Sequence, residues 1–171
     1  MLKIIGAIMI CSGSAAIGIS AANRLTLRIN VLNTWMSVLD MMHSEIKFLL
    51  TPINELMIKC KRNVKEPVKK FFDECMEMCS KQPDISFCSA WSSALGHADY
   101  MELTAQEKQI LLDLGNALGR YDATEQAVRI EHLRKVLEGR AKAAECEKSR
   151  LGKLYGSLGV ACGIALVIVF V

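Results

Sequence analysis

The sequence predicts an all-α protein, a membrane-anchored helical bundle whose long first and last helices continue into transmembrane segments. Two apolar runs, Leu2 to Ala22 and Leu154 to Val171, carry a single charge between them, at Lys3. In the middle of the chain, Val, Ile and Thr do not alternate with polar residues, so strands are not indicated. We therefore expect an N-terminal transmembrane segment at 1–23, a cytoplasmic helical bundle at 24–153, and a C-terminal transmembrane segment at 154–171.

The lengths of the two apolar runs suit a membrane span. A helix over residues 154–171 would be about 27 Å long, close to the hydrocarbon thickness of a bilayer. The first run also resembles a signal peptide, with small residues near Ala16 and Ala22 that could mark a cleavage site. We favour an uncleaved anchor, because the run is as long as a full span and the next helix continues it in register.

Basic residues flank the two predicted spans on their inner sides. Cytoplasmic flanks of membrane spans are enriched in Lys and Arg. The pattern predicts that the bundle faces the cytoplasm and both chain ends lie outside. The residues concerned are Arg24, Arg28, Lys148, Arg150 and Lys153.

The first helix is expected to run from the membrane to about Leu50. Its apolar residues recur at alternating steps of four and three, which is a heptad seam with His43 as its polar member. Further apolar residues widen the stripe and indicate more than one packing partner. We interpret His43 as a helix-face residue; the alternative is a pH sensor. The seam comprises Leu25, Ile29, Leu32, Met36, Leu39, His43, Ile46 and Leu50, and the widening residues are Trp35, Val38, Met42 and Leu49.

Two prolines mark the starts of short helices. Pro52 ends the first helix and opens a second, and Pro67 opens a third, because proline suits the first helical position and disfavours a helical residue before it. A loop is expected at 81–84 and a helix at 85–98, centred on Trp91 and Leu95.

The last two helices have clear start signals. Thr104 and Glu107 form a capping box, and so do Asp122 and Glu125. Gly119 is expected to end the fifth helix in the left-handed conformation. The sixth helix then contains no proline and should run into the terminal span, antiparallel to the first helix in a bundle.

The composition argues against several function classes. The charge of the middle segment is near balance, which disfavours nucleic-acid binding. Cys75 and Cys79 share a helical face, but a metal site needs two more ligands, so we predict no metal and no cofactor. The seven cysteines are odd in number and irregularly spaced, which favours free, reduced thiols. No phosphate loop, nucleophile elbow or zinc-protease helix is present, so we predict that the protein is not an enzyme.

The densest local pattern is a pair of glycines, Gly115 and Gly119, with Leu114 and Leu118 beside them. Small residues one helical turn apart allow another helix to approach closely. We interpret Gly115 as a notch for such an approach. The alternative is that Gly119 is a cap and Gly115 a packing notch within the fold, and the two interpretations are compatible.

The sequence resembles the stage III sporulation protein AB family of endospore-forming bacteria. The resemblance rests on the Met-Leu-Lys start, Glu45-Ile46 leading into Thr51-Pro52-Ile53, the Trp91 segment, and the overall layout. Its most specific part is Leu114-Gly115-x-x-Leu118-Gly119-x-x-Asp122, with Gln126 four residues further on. The cysteine-rich segment from Cys60 to Cys88 has no counterpart in the resemblance.

The resemblance implies a role that the residue patterns alone do not reach. The family is similar to the cytoplasmic domain of the type II secretion inner-membrane platform protein F. It implies a non-enzymatic platform in the mother-cell membrane facing the forespore, within a channel complex. The implied partners are a secretion-type ATPase (stage III sporulation protein AA), other membrane components of the channel, membrane lipid and further copies of the chain. The alternative is a membrane-anchored adaptor or sensor unrelated to secretion. Partner docking is predicted at Leu114, Gly115, Leu118, Gly119, Asp122 and Gln126.

Overall fold

The two longest helices lie side by side and antiparallel. In the computed structural model, α1 spans Leu2–Leu49 and α6 spans Ala123–Phe170, and the two are in contact along the bundle. Arg28 pairs with Glu147, with Nη1 and Oε2 3.3 Å apart, and Asp40 pairs with Arg134 further along. The residue numbers therefore rise along α1 as they fall along α6, which confirms the predicted antiparallel pair.

Shorter helices complete the bundle between the two long ones. They are α2 (Ile53–Asn63), α3 (Val68–Lys81), α4 (Phe87–Gly96), a short 3-10 helix (Ala98–Met101) and α5 (Ala105–Arg120). The structure describes the backbone of residues 2–82, 84–120 and 122–170, and the side chains of residues 20–82, 84–118 and 122–152. No strand occurs in those backbone ranges, which confirms the all-α class.

An aromatic cluster forms the centre of the core. Trp35 of α1, Phe71 and Phe72 of α3 and Trp91 of α4 are all at most 1% exposed. The ring centroids of Phe71 and Trp91 lie 4.8 Å apart at 81°, and those of Trp35 and Phe71 lie 5.3 Å apart at 69°. These edge-to-face pairs add to the apolar burial that holds α1, α3 and α4 together.

The buried face of α1 is rotated from the predicted seam. Met36 and His43 are only half-buried, whereas Trp35, Val38 and Met42 are fully buried. A straight α-helix drifts by about 20° per heptad from a strict seven-residue repeat. In addition, α1 packs against α2 and α3 as well as α6, so its buried stripe is broader than a coiled-coil seam.

The end of α1 departs further from the prediction. Leu49 and Leu50 were expected on the buried stripe, but they are 65% and 70% exposed. The last fully packed residue of the stripe is Ile46, at 3% exposure. Beyond it the helix reaches the end of the bundle, where the chain turns through Pro52 into α2.

Four helix boundaries differ from those expected. α3 includes Lys81, and α4 begins at Phe87, because the Ser86 hydroxyl oxygen accepts a hydrogen bond from the Ser89 N–H at 3.2 Å and caps the helix there. α4 ends at Gly96, and the 3-10 helix follows it. α5 continues through Gly119 to Arg120, so Gly119 is helical and the prediction of a left-handed stop there was wrong.

The predicted membrane spans lie almost wholly outside the described side chains. Of residues 1–23 and 154–171, side chains are described only for residues 20–23. Within the described residues, no helix is both long enough and apolar enough to cross a membrane. The two spans therefore stay predictions.

Candidate functional site

The predicted docking residues lie where α5 meets α6, and half of them face inward. Leu114 and Leu118 are 0% and 1% exposed, and Gly115 is buried. Their burial belongs to the packing of α5 against α4 and α6. In this conformation a partner cannot reach these three residues without opening the bundle.

Gly115 is a point of close approach between two helices. A methyl group built at Gly115 would lie 2.3 Å from Cδ1 of Trp91 on α4. The Trp91 indole N–H donates to the carbonyl of Leu111 at 2.7 Å, which fixes the ring against α5. The notch prediction for Gly115 is confirmed within the fold, because only a residue without a β-carbon leaves room for this ring.

The two polar members of the motif join α5 to α6. An Asp122 side-chain oxygen accepts a hydrogen bond from the Glu125 N–H at 2.9 Å, so Asp122 caps α6 as predicted. The Glu125 side chain pairs with Arg129 instead of reaching back to the cap. The Gln126 amide donates to the carbonyl of Leu118 at 3.0 Å. The surroundings of Gly119 lie outside the described side chains. Partner docking at these six residues stays a prediction. Among those whose side chains are described, Asp122 is the exposed one.

A buried ion pair, which the sequence did not predict, holds the helices together at the start of α5, away from the junction of α5 with α6. Glu107 of α5 is the fully buried charged residue among the described side chains. The Arg28 guanidinium of α1 binds it through Nη2 at 2.8 Å and Nε at 3.0 Å. Glu107 also accepts the Thr104 N–H at 2.8 Å, which confirms the predicted capping box. One carboxylate therefore caps α5 and joins it to a helix 79 residues away in sequence.

The electrostatics of this pair favour the charged state of both groups. Burial raises the pKa of Glu107, but hydrogen bonds from Arg28 and Thr104 outweigh burial and hold that pKa below its usual value. The hydrogen bond to Glu107 is the main cause of a raised pKa at Arg28. The arrangement is that of a clamp between helices: Arg28 also reaches Glu147 of α6, so three helices meet at one guanidinium.

An open cleft of about 480 Å³ lies beside this clamp. Four of its charged side chains form two pairs: Arg24 with Glu102 at 3.8 Å, and Arg28 with Glu147 at 3.3 Å. Within the described residues, no group of three or more His, Cys, Asp and Glu side chains is placed to hold a metal ion. The cleft is lined by Ala21, Arg24, Leu25, Arg28, Asp99, Glu102, Leu103, Thr104, Glu147 and Leu151.

The end of the bundle opposite Arg24 and the cleft is called the distal end. There the turn between α1 and α2 is held by hydrogen bonds to Glu45. Leu50 has a φ of 50°. The Thr51 N–H donates to the carbonyl of Glu45 at 3.2 Å. The Glu45 carboxylate accepts the Thr51 hydroxyl at 2.6 Å and pairs with Lys59 of α2 at 2.7 Å. Lys59 is the main cause, and Thr51 the second, of a lowered pKa at Glu45.

The described cysteines are free thiols in different surroundings. Cys60 and Cys75 are buried, and burial raises the pKa of each to about 12. Cys79 and Cys146 are exposed, and Cys88 is half-buried. Buried thiols of high pKa are poor nucleophiles, so Cys60 and Cys75 act as core residues.

The fold and these contacts define a class of protein: an all-helical bundle in which buried aromatic rings and ion pairs hold the helices together. The sequence matches the family described as stage III sporulation protein AB over residues 3–171. The chain therefore belongs to the stage III sporulation protein AB family, and it is a sporulation protein.

Individual relatives agree with this assignment. The chain is 26% identical over 169 residues to stage III sporulation protein AB of Bacillus subtilis strain 168, covering 98% of each protein. A solved structure of a stage III sporulation protein AB is similar in fold, with a TM-score of 0.65 and 22% identity, over 72% of this chain and 98% of that one.

Proposed function

We propose that this protein is a non-enzymatic platform in the mother-cell membrane facing the forespore, and that its bundle docks a secretion-type ATPase to a channel complex. The family is one of sporulation complex components and not a known enzyme family, which supports the non-enzymatic role. The ATPase and the channel come from the resemblance to the stage III sporulation protein AB family and, through it, to the platform protein of type II secretion. The membrane location rests also on the two apolar runs at the ends of the sequence.

The antiparallel pairing of α1 with α6 is the observation that carries the proposal. Arg24 and Leu151 both line the cleft beside the clamp, so the residues that adjoin the two predicted spans lie at the same end of the bundle. A hairpin of this kind would hold the bundle on one side of the membrane. In such a protein both spans act as anchors, and residues 24–153 lie in one compartment.

The charges near this end support a cytoplasmic bundle. Arg24, Lys148 and Arg150 are exposed next to the predicted spans, as the positive-inside rule requires of a cytoplasmic flank. Arg28 contributes less to the positive charge of this flank than its sequence position indicates, because Glu107 neutralises it inside the fold.

Co-purification tests the proposal. The full-length protein, reconstituted in lipid nanodiscs, should retain the stage III sporulation protein AA ATPase of the same organism. Empty nanodiscs serve as the control. Failure of the ATPase to bind would refute the platform role and favour an adaptor or sensor unrelated to secretion.

A further inference from the structure

The cleft beside the clamp lies where the bundle adjoins the two predicted spans. Its walls come from α1, from α6 and from the segment between Asp99 and Thr104. Ala21 belongs to the first predicted span, and Leu151 closely precedes the second. Under the hairpin topology of the proposed function, on which this inference rests, the cleft therefore lies at the membrane surface, at the depth of the lipid headgroups.

The polarity of the cleft changes along the two long helices in the order that a phospholipid requires. Ala21 and Leu151, the lining residues nearest the predicted spans, are uncharged and half-buried. Arg24 lies about one helical turn further along α1 than Ala21, and Glu147 lies about one turn further into the bundle than Leu151. A lipid in the cleft would therefore contact apolar side chains with the upper part of its acyl chains and charged side chains with its headgroup.

The charges of the cleft favour a ligand that carries both signs. Among the charged side chains that line it, Arg28 is neutralised by the buried Glu107. Asp99 pairs with Lys108 at 2.6 Å. One base and two acids are left, so a headgroup with only a phosphate would meet a net repulsion, whereas a headgroup that adds an ammonium to the phosphate complements the lining. The side chains that are left are Arg24, Glu102 and Glu147.

These three side chains are accessible to a ligand. Arg24 is 71% exposed and stands 3.8 Å from Glu102, which is beyond hydrogen-bond distance. Glu102 and Glu147 are 37% and 56% exposed. Exposed ion pairs of this kind contribute little to stability, so a ligand can replace them at small cost.

We propose that the cleft binds the headgroup of a phospholipid that carries a primary ammonium beside its phosphate, as phosphatidylethanolamine does. The Arg24 guanidinium binds the phosphate, and the carboxylates of Glu102 and Glu147 accept hydrogen bonds from the ammonium. A choline headgroup has no N–H to donate at this point, and a glycerol headgroup has no cation. The volume of about 480 Å³ lies in the range of small-molecule sites. A lipid bound in this way bridges α1, α6 and the segment that leads into α5.

Native mass spectrometry of the full-length protein in detergent micelles tests the proposal. The protein is titrated with phosphatidylethanolamine, phosphatidylcholine or phosphatidylglycerol of identical acyl chains, and the apparent Kd of the first bound lipid is compared. The ethanolamine lipid should bind about tenfold more tightly than the choline lipid, because the hydrogen bonds that its ammonium donates to carboxylates are charge-assisted. The glycerol lipid should bind no more tightly than the choline lipid.

Variants separate the contacts to the two halves of the headgroup. Glu102→Gln and Glu147→Gln should each reduce the preference for ethanolamine over choline, and the two together should abolish it. Arg24→Gln should weaken the binding of both lipids by a similar factor and leave the preference unchanged, because both lipids contain the phosphate. The matched control is Glu145→Gln, which makes the same charge change on an exposed residue of α6 outside the cleft. That variant should bind lipids like the wild type.

The outcomes separate this proposal from the proposed function. Equal affinity of the wild type for the ethanolamine and choline lipids would overturn the cleft assignment, and so would an unchanged preference in the double variant. An equal loss of preference in Glu145→Gln would overturn it as well, because overall charge would then be the cause. Each of these results leaves the platform role standing, since binding of the ATPase is measured separately. If the full-length protein stays in solution without detergent and carries no lipid, the predicted spans fail, and the hairpin topology and this proposal fail with them.

Discussion

Replacing Gly115 with alanine should destabilise the protein, although alanine is the better helix former. Alanine in a helix interior gains about 1 kcal/mol over glycine when nothing intervenes. Here the new methyl group would lie 2.3 Å from Cδ1 of Trp91. Carbon atoms in contact lie about 3.5–4.0 Å apart, so the ring or α5 must move by more than 1 Å.

The Trp91 ring has little room for that movement. It is 1% exposed, and the centroid of the Phe71 ring lies 4.8 Å from its own. Overpacking of this kind costs about 1–3 kcal/mol. Displacement also threatens the 2.7 Å hydrogen bond from the indole to the Leu111 carbonyl, and leaving such buried groups unpaired costs about 1–3 kcal/mol. After the helix-propensity gain, we expect a net loss of about 2 kcal/mol.

Thermal unfolding followed by circular dichroism measures this effect. A loss of about 2 kcal/mol corresponds to a fall in Tm of about 4–8 °C for a protein of this size. Gly139→Ala is the matched control, because Gly139 lies inside α6 and a methyl group there would meet no atom within 4 Å. That variant should raise Tm slightly. A Gly115→Ala protein that melts at or above the wild-type temperature would show that the close approach to Trp91 does not constrain the residue.

Three further predictions concern other parts of the bundle. Glu107→Gln should lower the free energy of unfolding by about 2–3 kcal/mol, because it leaves Arg28 without its main carboxylate. Since the pKa of Glu107 is lowered in the fold, its contribution is present above its unfolded pKa of about 4.3 and is lost as pH falls through the lower folded value; the variant should therefore unfold with a smaller acid dependence in urea titrations between about pH 5 and 2. With a membrane-impermeant maleimide, a variant retaining only Cys79 should be labelled in inside-out but not right-side-out vesicles, whereas one retaining only Cys75 should resist labelling in both. Leu50→Gly should leave Tm unchanged or raise it by about 1–3 °C, because relief of the left-handed strain offsets the flexibility that glycine adds to the unfolded chain.

Each of these has a result that contradicts it. An acid dependence for Glu107→Gln equal to that of the wild type would mean that the carboxylate is not held charged by Arg28. Labelling of Cys79 in right-side-out vesicles would place the bundle outside the cell and refute the topology. A clear fall in Tm for Leu50→Gly would show that the leucine side chain packs despite its exposure.

Local sequence signals were sufficient for the helices and most of their ends. Pro52 and Pro67 marked helix starts, and Thr104 with Glu107 formed the capping box that the pattern indicated. These features depend on residues within one helical turn, so spacing alone determines them. The start of α4 depends on a weaker signal, the Ser86 cap, and it was placed less accurately.

The contacts between helices were decided only by the tertiary structure. The sequence indicated a notch at Gly115 but not that Trp91 fills it, and it showed the cap at Glu107 but not the Arg28 that makes the same carboxylate a clamp. It also placed Leu49 and Leu50 on the buried stripe, because periodicity does not reveal where the partner helices stop. Sequence by itself determined which helix faces are apolar and where most helices begin. The packing and the lengths of the helices determined which residues meet, because those contacts join positions far apart along the chain.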